Sequence, residues 1–470
     1  MPIRKSPSGA YVVPSDLSSL PSLPEVLGTS DGSSFEYLEV DAPGGVASVS
    51  SVVAQSSRLL ALEPSIGASS QNVRALGAAL PKRDRTVTIF QAGHGWATNA
   101  GGSANLNDTT DFVFGSQSAS ITTDGAATAK TLKLVGFTAA NAATWSPVIA
   151  IKVDDQTHLA AMQLYLGDTN LANHYKWEFK STTTAKWVTS GDWVVIVLAW
   201  GDATVVGAPS RAAITDGQFR AVDDAAGTVT MHCNLLGFIP EQTVYPNGVV
   251  SFSFDDAYSS QYTDARAILD LYGFSATAFV ILEYLGVGGR LTLAQCKALR
   301  DFSRWSICGH ATTGAVHAAR FTSLTAAQLD VEFQALKRWC ADNGFDGRVA
   351  AYPGGEYNAT VLEKTAEYFL GARTVFQAVD TLPPSNAVKL RTAGYLTSAT
   401  LPATITAAID AAYAGKNWLH IVGHSIVAVP AVSTDYSIAN FQTIVDYAAT
   451  KGIAVATIGD VLSQRLYAAF

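Results

Sequence analysis

Residues 249–282 read VVSFSFDDAYSSQYTDARAILDLYGFSATAFVIL. This run opens with a strand-like segment at 249–254, continues with apolar residues at helical spacing over 262–272, and closes with a second strand-like segment. Strand-like and helical segments keep alternating towards the end of the chain, with further helices predicted near 292–302 and 324–342. Repeated strand–helix units predict a parallel sheet, and this many of them predict a distorted (β/α) barrel.

Three residues mark predicted helix ends in this region. Asn358 is suited to cap the N-terminus of the helix that follows it. Gly344 and Gly452 lie just after helical segments, where a left-handed glycine commonly ends a helix.

The preceding part of the chain has a different pattern. Short runs of β-branched and aromatic residues, several of them alternating, are separated by turn residues. They lie at 87–90, 131–135, 148–153, 162–166, 175–179, 193–198 and 228–233. This pattern predicts an all-β sandwich of jelly-roll type, which makes the chain multidomain. We place the sandwich at residues 84–245, the α/β domain at 246–470, and an N-terminal attachment or oligomerisation segment at 1–83.

Tryptophan is concentrated in the predicted sandwich. Six of the nine tryptophans occur there: Trp96, Trp145, Trp177, Trp187, Trp193 and Trp200. An exposed indole would offer a face on which a sugar stacks, whereas a buried one would pack in the core. Core packing is the more ordinary interpretation, and both remain open from the sequence.

Composition argues against several classes of partner. Hydrophobic residues make up 48% of the 470 residues and charged residues 15%, which is typical of large buried cores. The net charge of −8, without a basic stripe, argues against nucleic acid and favours a sugar-like partner. No apolar run approaches the roughly 18 residues that a spanning helix needs, so we expect no membrane partner. The basic N-terminus has no hydrophobic segment behind it, so we expect no secretory signal.

The four scattered cysteines form no CxxC pair and are predicted to be buried hydrophobic side chains.

Two adjacent carboxylates, Asp255 and Asp256, follow the first strand of the α/β region. Catalytic groups of such folds lie at the C-terminal ends of the strands. Neighbouring carboxylates are costly unless a cation lies between them, so one is a candidate metal ligand and the other a candidate base. A solvated turn is the alternative.

Two histidines follow the next candidate strand end. His310 comes directly after the short run at 305–309, and His317 lies seven residues further on. Neutral imidazoles suit zinc, but seven residues of helix span about 10 Å, so a loop must bring His317 back. The alternatives are a satisfied buried histidine at 310 and a surface histidine at 317.

Two further segments end with residues suited to catalysis. The turn Tyr352-Pro353-Gly354-Gly355 offers an unobstructed backbone N–H for an oxyanion, although a tight turn before a helix explains its glycines equally well. The apolar strand at 418–423 is followed by His424, which is placed to act as a general acid. His420 lies within that strand and is predicted to be structural.

Taken in this order, these segments resemble the NodB-homology polysaccharide deacetylases, carbohydrate esterase family 4. The similar segments are Ser253-Phe254-Asp255-Asp256, His310 with His317, Tyr352-Pro353-Gly354-Gly355, and 419–424. The resemblance covers about 220 residues, and its specificity lies in the order of four motifs at strand ends.

The resemblance implies a role for each candidate residue. Asp255 would be the general base, and His424 would protonate the leaving amine or alcohol. The implied ligands of a divalent metal, Zn²⁺, are Asp256, His310 and His317. A backbone N–H, that of Gly354, would hold the oxyanion, with Tyr352 beside the substrate.

Three departures from the family pattern affect these roles. The histidine spacing is seven rather than four. The family's arginine, two residues before the proline, is replaced by Ala351, so we expect Arg391 or Arg348 to substitute. The glycine that follows the paired aspartates is Ala257, which predicts an ordinary backbone conformation there.

The arrangement of segments resembles a bacteriophage tail spike or tail fibre. A tail component leaves the cell by lysis, which would explain a polysaccharide enzyme without an export signal. This hypothesis implies a virion or extracellular location, a homo-oligomer such as a trimer, and an acetylated host polysaccharide as substrate. The alternatives are a bacterial chitin or peptidoglycan deacetylase and a non-catalytic glycan-binding adhesin. The paired aspartates and histidines argue against the adhesin, whereas the missing arginine argues for it.

Overall fold

The computed structural model describes residues 4–5, 11–12, 85–180, 188 and 190–464. The chain divides into two compact units, Met1–Ser65 and Ile66–Phe470. In the first unit, Arg4–Lys5 (β1) pairs antiparallel with Tyr11–Val12 (β2). The rest of the predicted attachment or oligomerisation segment lies outside the described residues.

Two antiparallel sheets precede the α/β region. Their strands are Arg85–Thr88 (β3), Ala97–Thr98 (β4), Ser103–Asp108 (β5), Ser118–Thr122 (β6), Ala129–Leu134 (β7), Trp145–Val153 (β8), Leu159–Asp168 (β9), Asn173–Lys180 (β10), Val194–Val197 (β11), Thr204–Val206 (β12), Asp216–Asp223 (β13) and Thr230–Pro240 (β14). One sheet has the order β12-β10-β9-β13-β7-β4, and the other has the order β11-β8-β14-β6-β5 with β3 also paired to β14. The predicted all-β region is therefore confirmed, while its jelly-roll topology stays a prediction.

The two sheets share one hydrophobic core. Leu132, Leu164 and Phe219 of the first sheet pack in the same buried cluster as Ile149 and Leu236 of the second. Full burial of such a side chain contributes about 1.5–3 kcal/mol. Inward apolar positions alternate with polar ones along several strands, such as β10 and β13, which is why period-two patterning located this region in the sequence.

The described tryptophans pack against the sandwich. Trp96, Trp177 and Trp193 are buried. The Trp177 indole donates to Ala199 O at 2.8 Å. Trp145 and Trp200 are half-buried, and the Trp200 indole donates to Trp145 O at 2.7 Å. Core packing is thus confirmed for the buried three, and Trp187 lies outside the described residues.

Strands and helices alternate after residue 245. The strands are Val249–Asp255 (β15), Ala276–Ile281 (β16), Ser306–Ala311 (β17), Val349–Ala351 (β18), Gly371–Arg373 (β19), Gly394–Tyr395 (β20), Trp418–Gly423 (β21), Ser425–Val427 (β22), Asp435–Ser437 (β23) and Ala454–Val455 (β24). The helices are Arg266–Asp270 (α1), Leu293–Ser303 (α2), Gly314–Ala319 (α3), Ala326–Asn343 (α4), Ala359–Tyr368 (α5), Pro402–Gly415 (α6), Ile438–Lys451 (α7) and Ile458–Ser463 (α8). The helices predicted near 292–302 and 324–342 are confirmed as α2 and α4. A π-helical turn at Gln261–Ala265 precedes α1, so the helix predicted over 262–272 is shorter and less regular than expected.

The central sheet of this region is parallel. Its order is β17-β16-β15-β21-β20, with β24 also paired to β15. A separate parallel ladder joins β18 to β19, and His310 Nδ1 on β17 lies 2.9 Å from Ala351 O on β18. The predicted parallel sheet is confirmed. Closure into a barrel stays a prediction, because β18 and β19 form their own ladder within the described chain.

The predicted helix ends are also confirmed. The Asn358 side chain accepts a hydrogen bond from Val361 N at 2.9 Å and so caps α5. Gly344 and Gly452 end α4 and α7 with φ of 67° and 69°. This left-handed conformation has no steric cost for glycine.

Direct contacts join the sandwich to the α/β region within the second unit. Asn417 Nδ2 donates to both carboxylate oxygens of Asp202 at 2.9 Å. The predicted boundary at residue 245 falls between the end of β14 and the start of β15, and it stays a prediction. Gly201 packs so closely that an added Cβ would lie 1.8 Å from Ala414 O.

Replacing Gly201 with alanine tests this close packing. We expect Gly201→Ala to lower the free energy of unfolding by about 1–3 kcal/mol, because the backbone of α6 cannot yield as a side chain would. Urea unfolding curves measure the change. Gly288→Ala is the matched control, since a Cβ there meets nothing within 4 Å. Equal stability of the two variants would contradict the prediction.

Candidate functional site

The paired aspartates lie at the C-terminal end of β15. Asp255 is its last residue and is buried. Asp256 and Ala257 follow with φ of 66° and 57°. The ordinary backbone predicted at Ala257 is therefore wrong. Hydrogen bonds to Asp256 O from Arg290 and to Ala257 O from Leu291 N, each 2.7 Å long, hold this left-handed turn despite the Cβ.

The two histidines meet through a strand, a turn and a short helix. His310 lies on β17, and His317 lies on α3, which Thr313 caps by accepting from Val316 N. The two Nε2 atoms are 3.2 Å apart. The turn before α3 thus brings His317 back to His310 despite the seven-residue spacing.

Asp256, His310 and His317 form a cluster with the geometry of a metal site. Asp256 Oδ1 lies 3.5 Å from His317 Nε2 and 3.8 Å from His310 Nε2. All three candidate ligand atoms lie within 4.8 Å of one another. Within the described part of the chain, Asp256 Oδ1 is buried and accepts no hydrogen bond. A buried acceptor facing two imidazole nitrogens fits a bound cation.

The protonation states of the histidines agree with that fit. Burial lowers the pKa of His310, and burial together with the nearby His310 lowers the pKa of His317 to about 4. Both imidazoles are therefore neutral near pH 7, which is the form that binds metals. Because His310 Nδ1 faces Ala351 O, its proton belongs on Nδ1 and its Nε2 lone pair points into the cluster.

Asp255 makes a buried ion pair with an arginine that was not identified from the sequence. Arg373 NH2 donates to Asp255 Oδ2 at 2.5 Å. Burial acts to raise the pKa of Asp255, but its positively charged surroundings, Arg373 foremost, outweigh burial and lower the pKa. Asp255 is thus a carboxylate at neutral pH, and its Oδ1 accepts no hydrogen bond among the described residues.

Neither arginine suggested as a substitute contacts Asp255 in the described structure. Arg391 NH1 binds Asp380 Oδ1 at 3.1 Å in the protein interior. Arg348, which directly precedes β18, pairs with Asp346 and Asp460 instead. The prediction that Arg391 or Arg348 substitutes for the family's arginine is therefore wrong, and the arginine that pairs with Asp255 is Arg373.

His424 directly follows β21 and lines the same cavity as Asp255. Gln261 Nε2 donates to Asp255 O at 2.7 Å and to His424 O at 3.0 Å, which ties the two strand ends together. His420 is fully buried, with Nε2 3.3 Å from Asp380 Oδ2. Its contact with Asp380 agrees with the structural role predicted for it.

The turn at Pro353–Gly355 forms another wall of the cavity. Gly354 and Gly355 have φ of 65° and 74°. The Tyr352 hydroxyl donates to Val388 O at 2.8 Å, so this hydroxyl is engaged in the interior while the residue still borders the cavity. Gly355 N donates to Tyr352 O at 2.8 Å, which closes the turn.

These elements enclose a cavity of about 350 Å³. The described lining residues are Asp255, His310, His317, Arg320, Tyr352, Gly354, Gly355, Val375, Gln377, Tyr395 and His424. Its size falls in the range of small-ligand sites. Seven of the eight residues predicted from the sequence meet at or beside this cavity, and Arg391 does not.

A second group of potential ligands lies in the sandwich. Asp111, Asp154 and His232 approach one another closely. Lys152 pairs with both carboxylates, however, and its ammonium supplies the positive charge that a metal would otherwise provide. We interpret this group as an ion-pair network.

Comparisons with known proteins find a family match in the α/β region. Residues 243–375 match the family model for polysaccharide deacetylases. The C-terminal region contains a polysaccharide deacetylase domain. The Bacillus subtilis protein YxkH, provisionally assigned as a polysaccharide deacetylase, is 33% identical over 130 residues, which are 27% of this chain and 44% of YxkH.

The solved structures that are similar to this chain include a deacetylase and a carbohydrate esterase. The Streptococcus pyogenes deacetylase PplD, in complex with acetate, is 25% identical with a TM-score of 0.27, over 30% of this chain and 62% of that chain. A family 4 carbohydrate esterase from Streptomyces lividans, in complex with acetate, is 23% identical with a TM-score of 0.32, over 45% of this chain and 92% of that chain. The chain thus spans less than half of YxkH and less than two thirds of the Streptococcus pyogenes protein.

No helix in the described residues is both long and apolar enough to cross a membrane.

Strand register explains how the deacetylase domain has an arginine beside Asp255. Ala351, which occupies the family's arginine position, is the direct partner of Arg373 in the β18–β19 ladder. Registered residues of a parallel pair share one face of the ladder. Arg373 therefore lies on the same face of this ladder as position 351, one strand away. In the sequence, Arg373 is marked only as a single basic residue that directly follows the small residues Gly371 and Ala372.

Exchanging the arginine between these two strands tests whether position 351 can supply the partner of Asp255. We expect Arg373→Ala to lower the free energy of unfolding by about 3–5 kcal/mol, because Asp255 is left buried without its partner. Adding Ala351→Arg to that variant should restore part of the loss. Urea unfolding measures both changes, with exposed Arg338→Ala as the control. A loss no larger than in the control would contradict the assignment.

Proposed function

We propose that the deacetylase domain is a metal-dependent hydrolase that removes acetyl groups from a polysaccharide. The observation that carries this proposal is the ionised Asp255 in a cavity shared with His424 and with the Asp256–His310–His317 cluster. A base, an acid and a three-ligand cation site in one cavity are the groups that metal-assisted acyl hydrolysis needs.

Asp256, His310 and His317 would hold the divalent cation. Two neutral imidazoles and one carboxylate form a ligand set that would favour Zn²⁺. Such an ion polarises an acetyl carbonyl and lowers the pKa of a bound water towards ~7.

The remaining steps are proton transfers by side chains of this domain. Asp255 accepts the proton of the attacking water through Oδ1, while Arg373 holds its other oxygen. The backbone N–H of Gly354 holds the negative charge that develops on the carbonyl oxygen. His424 then donates a proton to the leaving amine or alcohol as the bond to the acetyl group breaks.

The biological setting that we propose is a bacteriophage tail spike or fibre. The sandwich that precedes the deacetylase domain, with the distorted barrel and jelly-roll topology expected from the sequence, supports this proposal by architectural analogy. The protein would then act as a virion component, as a trimer, on an acetylated surface polysaccharide of the host. A bacterial deacetylase remains the second candidate, favoured by the similarity to YxkH.

A glycan-binding adhesin is the candidate from a different class. The sequence favours an adhesin only because Ala351 stands where the deacetylase family has an arginine. Since Arg373 pairs with Asp255, the site does contain an arginine, and this argument for an adhesin no longer applies.

Acetate release tests the proposed hydrolysis. We expect the protein as purified to release acetate from acetylated polysaccharides. The release should stop after chelation and resume when zinc is restored. Asp255→Asn should lower kcat by about 10²–10⁴-fold, because the base is removed while the shape of the site is retained.

Exposed Asp301→Asn is the matched carboxylate control and should behave as the unmodified protein. Circular dichroism checks that each variant folds. A protein that binds no metal and releases no acetate from any glycan would be an adhesin rather than an enzyme.

A further inference from the structure

Arg320 has an unusual backbone conformation for a residue with a side chain. It follows α3 with φ 69° and ψ 153°. This region of conformational space is close to exclusive to glycine, and other residues adopt it chiefly at functional sites. Ser323 N and Oγ both donate to Arg320 O, which helps to hold the conformation.

The same conformation directs the Arg320 side chain into the catalytic cavity. Among the described residues that line the cavity, Arg320 is the one lysine or arginine. Its guanidinium packs on the turn beside Gly354, where an added Cβ would lie 2.5 Å from Nε. Glycine at 354 therefore makes room for the guanidinium as well as allowing the turn.

Arg320 uses little of its hydrogen-bonding capacity on the protein. Within the described chain, its side chain makes one hydrogen bond, from NH1 to His317 O at 2.8 Å. Its ion-pair partner is Glu356, with Nε and Oε1 3.5 Å apart and the Glu356 side chain 58% exposed. A hydrated carboxylate at that distance competes weakly with a ligand. A guanidinium has five N–H donors, so several remain for the cavity.

The charges around the cavity complement an anion. Asp255 is neutralised by Arg373. Lys389 and Arg391 are also neutralised, because Lys389 pairs with Asp192 and Arg391 pairs with Asp380. When a divalent cation is bound beside Asp256, Arg320 adds a further positive charge to the cavity.

We propose that Arg320 binds a carboxylate of the substrate, so that the domain prefers acetylated glycans containing uronic acid over neutral ones. This inference rests on the proposed function. A guanidinium binds a carboxylate through two parallel hydrogen bonds, which is a geometry that neutral sugar hydroxyls do not offer. Gln377 and Tyr395, which also line the cavity, are suited to the hydroxyls of the sugar.

A matched pair of substrates tests the preference. One is an acetylated uronic-acid polysaccharide, and the other is the same glycan with its carboxylates reduced to alcohols and acetylated to the same degree. We expect kcat/KM for the acidic glycan to be about 10-fold higher or more, mainly through KM, as a charge-assisted hydrogen bond provides. Added salt should reduce that ratio.

Two variants separate charge from position. Arg320→Gln should bring the ratio close to one, because glutamine keeps a polar side chain but has no charge. Arg320→Lys should retain part of the ratio, and exposed Arg338→Gln should leave it unchanged. Metal content is measured for each protein, and calorimetry measures binding of a deacetylated oligouronate.

Equal rates on both glycans would overturn the inference and leave the proposed function intact. If Arg320→Gln loses its metal and its activity on both substrates alike, Arg320 is a positioning residue for His317, and the inference is again overturned. Arg320-dependent binding of the oligouronate without acetate release from either glycan would support the carboxylate site and refute the proposed hydrolysis.

Discussion

Asp255 and Arg373 form an ion pair whose side chains are only 8% and 1% exposed. Each charge has lost most of its water, and either one alone would be strongly destabilising or would change its protonation state. Together they keep the carboxylate ionised inside the protein. They also join the C-terminal ends of β15 and β19, two strands that belong to different ladders. The base and the shape of the cavity therefore depend on the same contact.

Other contacts at these strand ends fix the remaining groups relative to that pair. Gln261 holds the backbone of both Asp255 and His424 with one amide nitrogen. His310 is oriented by the carbonyl of Ala351, the residue registered with Arg373. His310 is thus positioned by a backbone atom of a neighbouring strand, and the ends of β15 and β21 are held together by one glutamine side chain. Such an arrangement is rigid, and it aligns proton donors and acceptors before a substrate arrives.

Local patterns predicted most of the fold and most of the candidate site. Hydrophobic periodicity distinguished the sandwich from the α/β region, and side chains following strands identified the acidic pair, His310 and His424. Arg373 could not be found this way, because its proximity to Asp255 depends on the register between β18 and β19. Arg391 was misjudged for the same reason, since its partner Asp380 is defined only by tertiary packing. At Ala257, hydrogen bonds to the turn outweigh the preference of alanine for negative φ.

The sandwich supports the cavity from outside the parallel sheet. Asp192 pairs with Lys389, whose ammonium lies 5.5 Å from the ring centroid of Tyr357. Tyr357 packs on Tyr352 with ring centroids 5.8 Å apart, and Tyr352 leads directly into the turn containing Gly354. Because Asp192 and Lys389 are both largely buried, separating the two regions would leave an uncompensated charge. The turn that lines the cavity therefore rests on the sandwich, which agrees with the two regions lying within one compact unit, Ile66–Phe470.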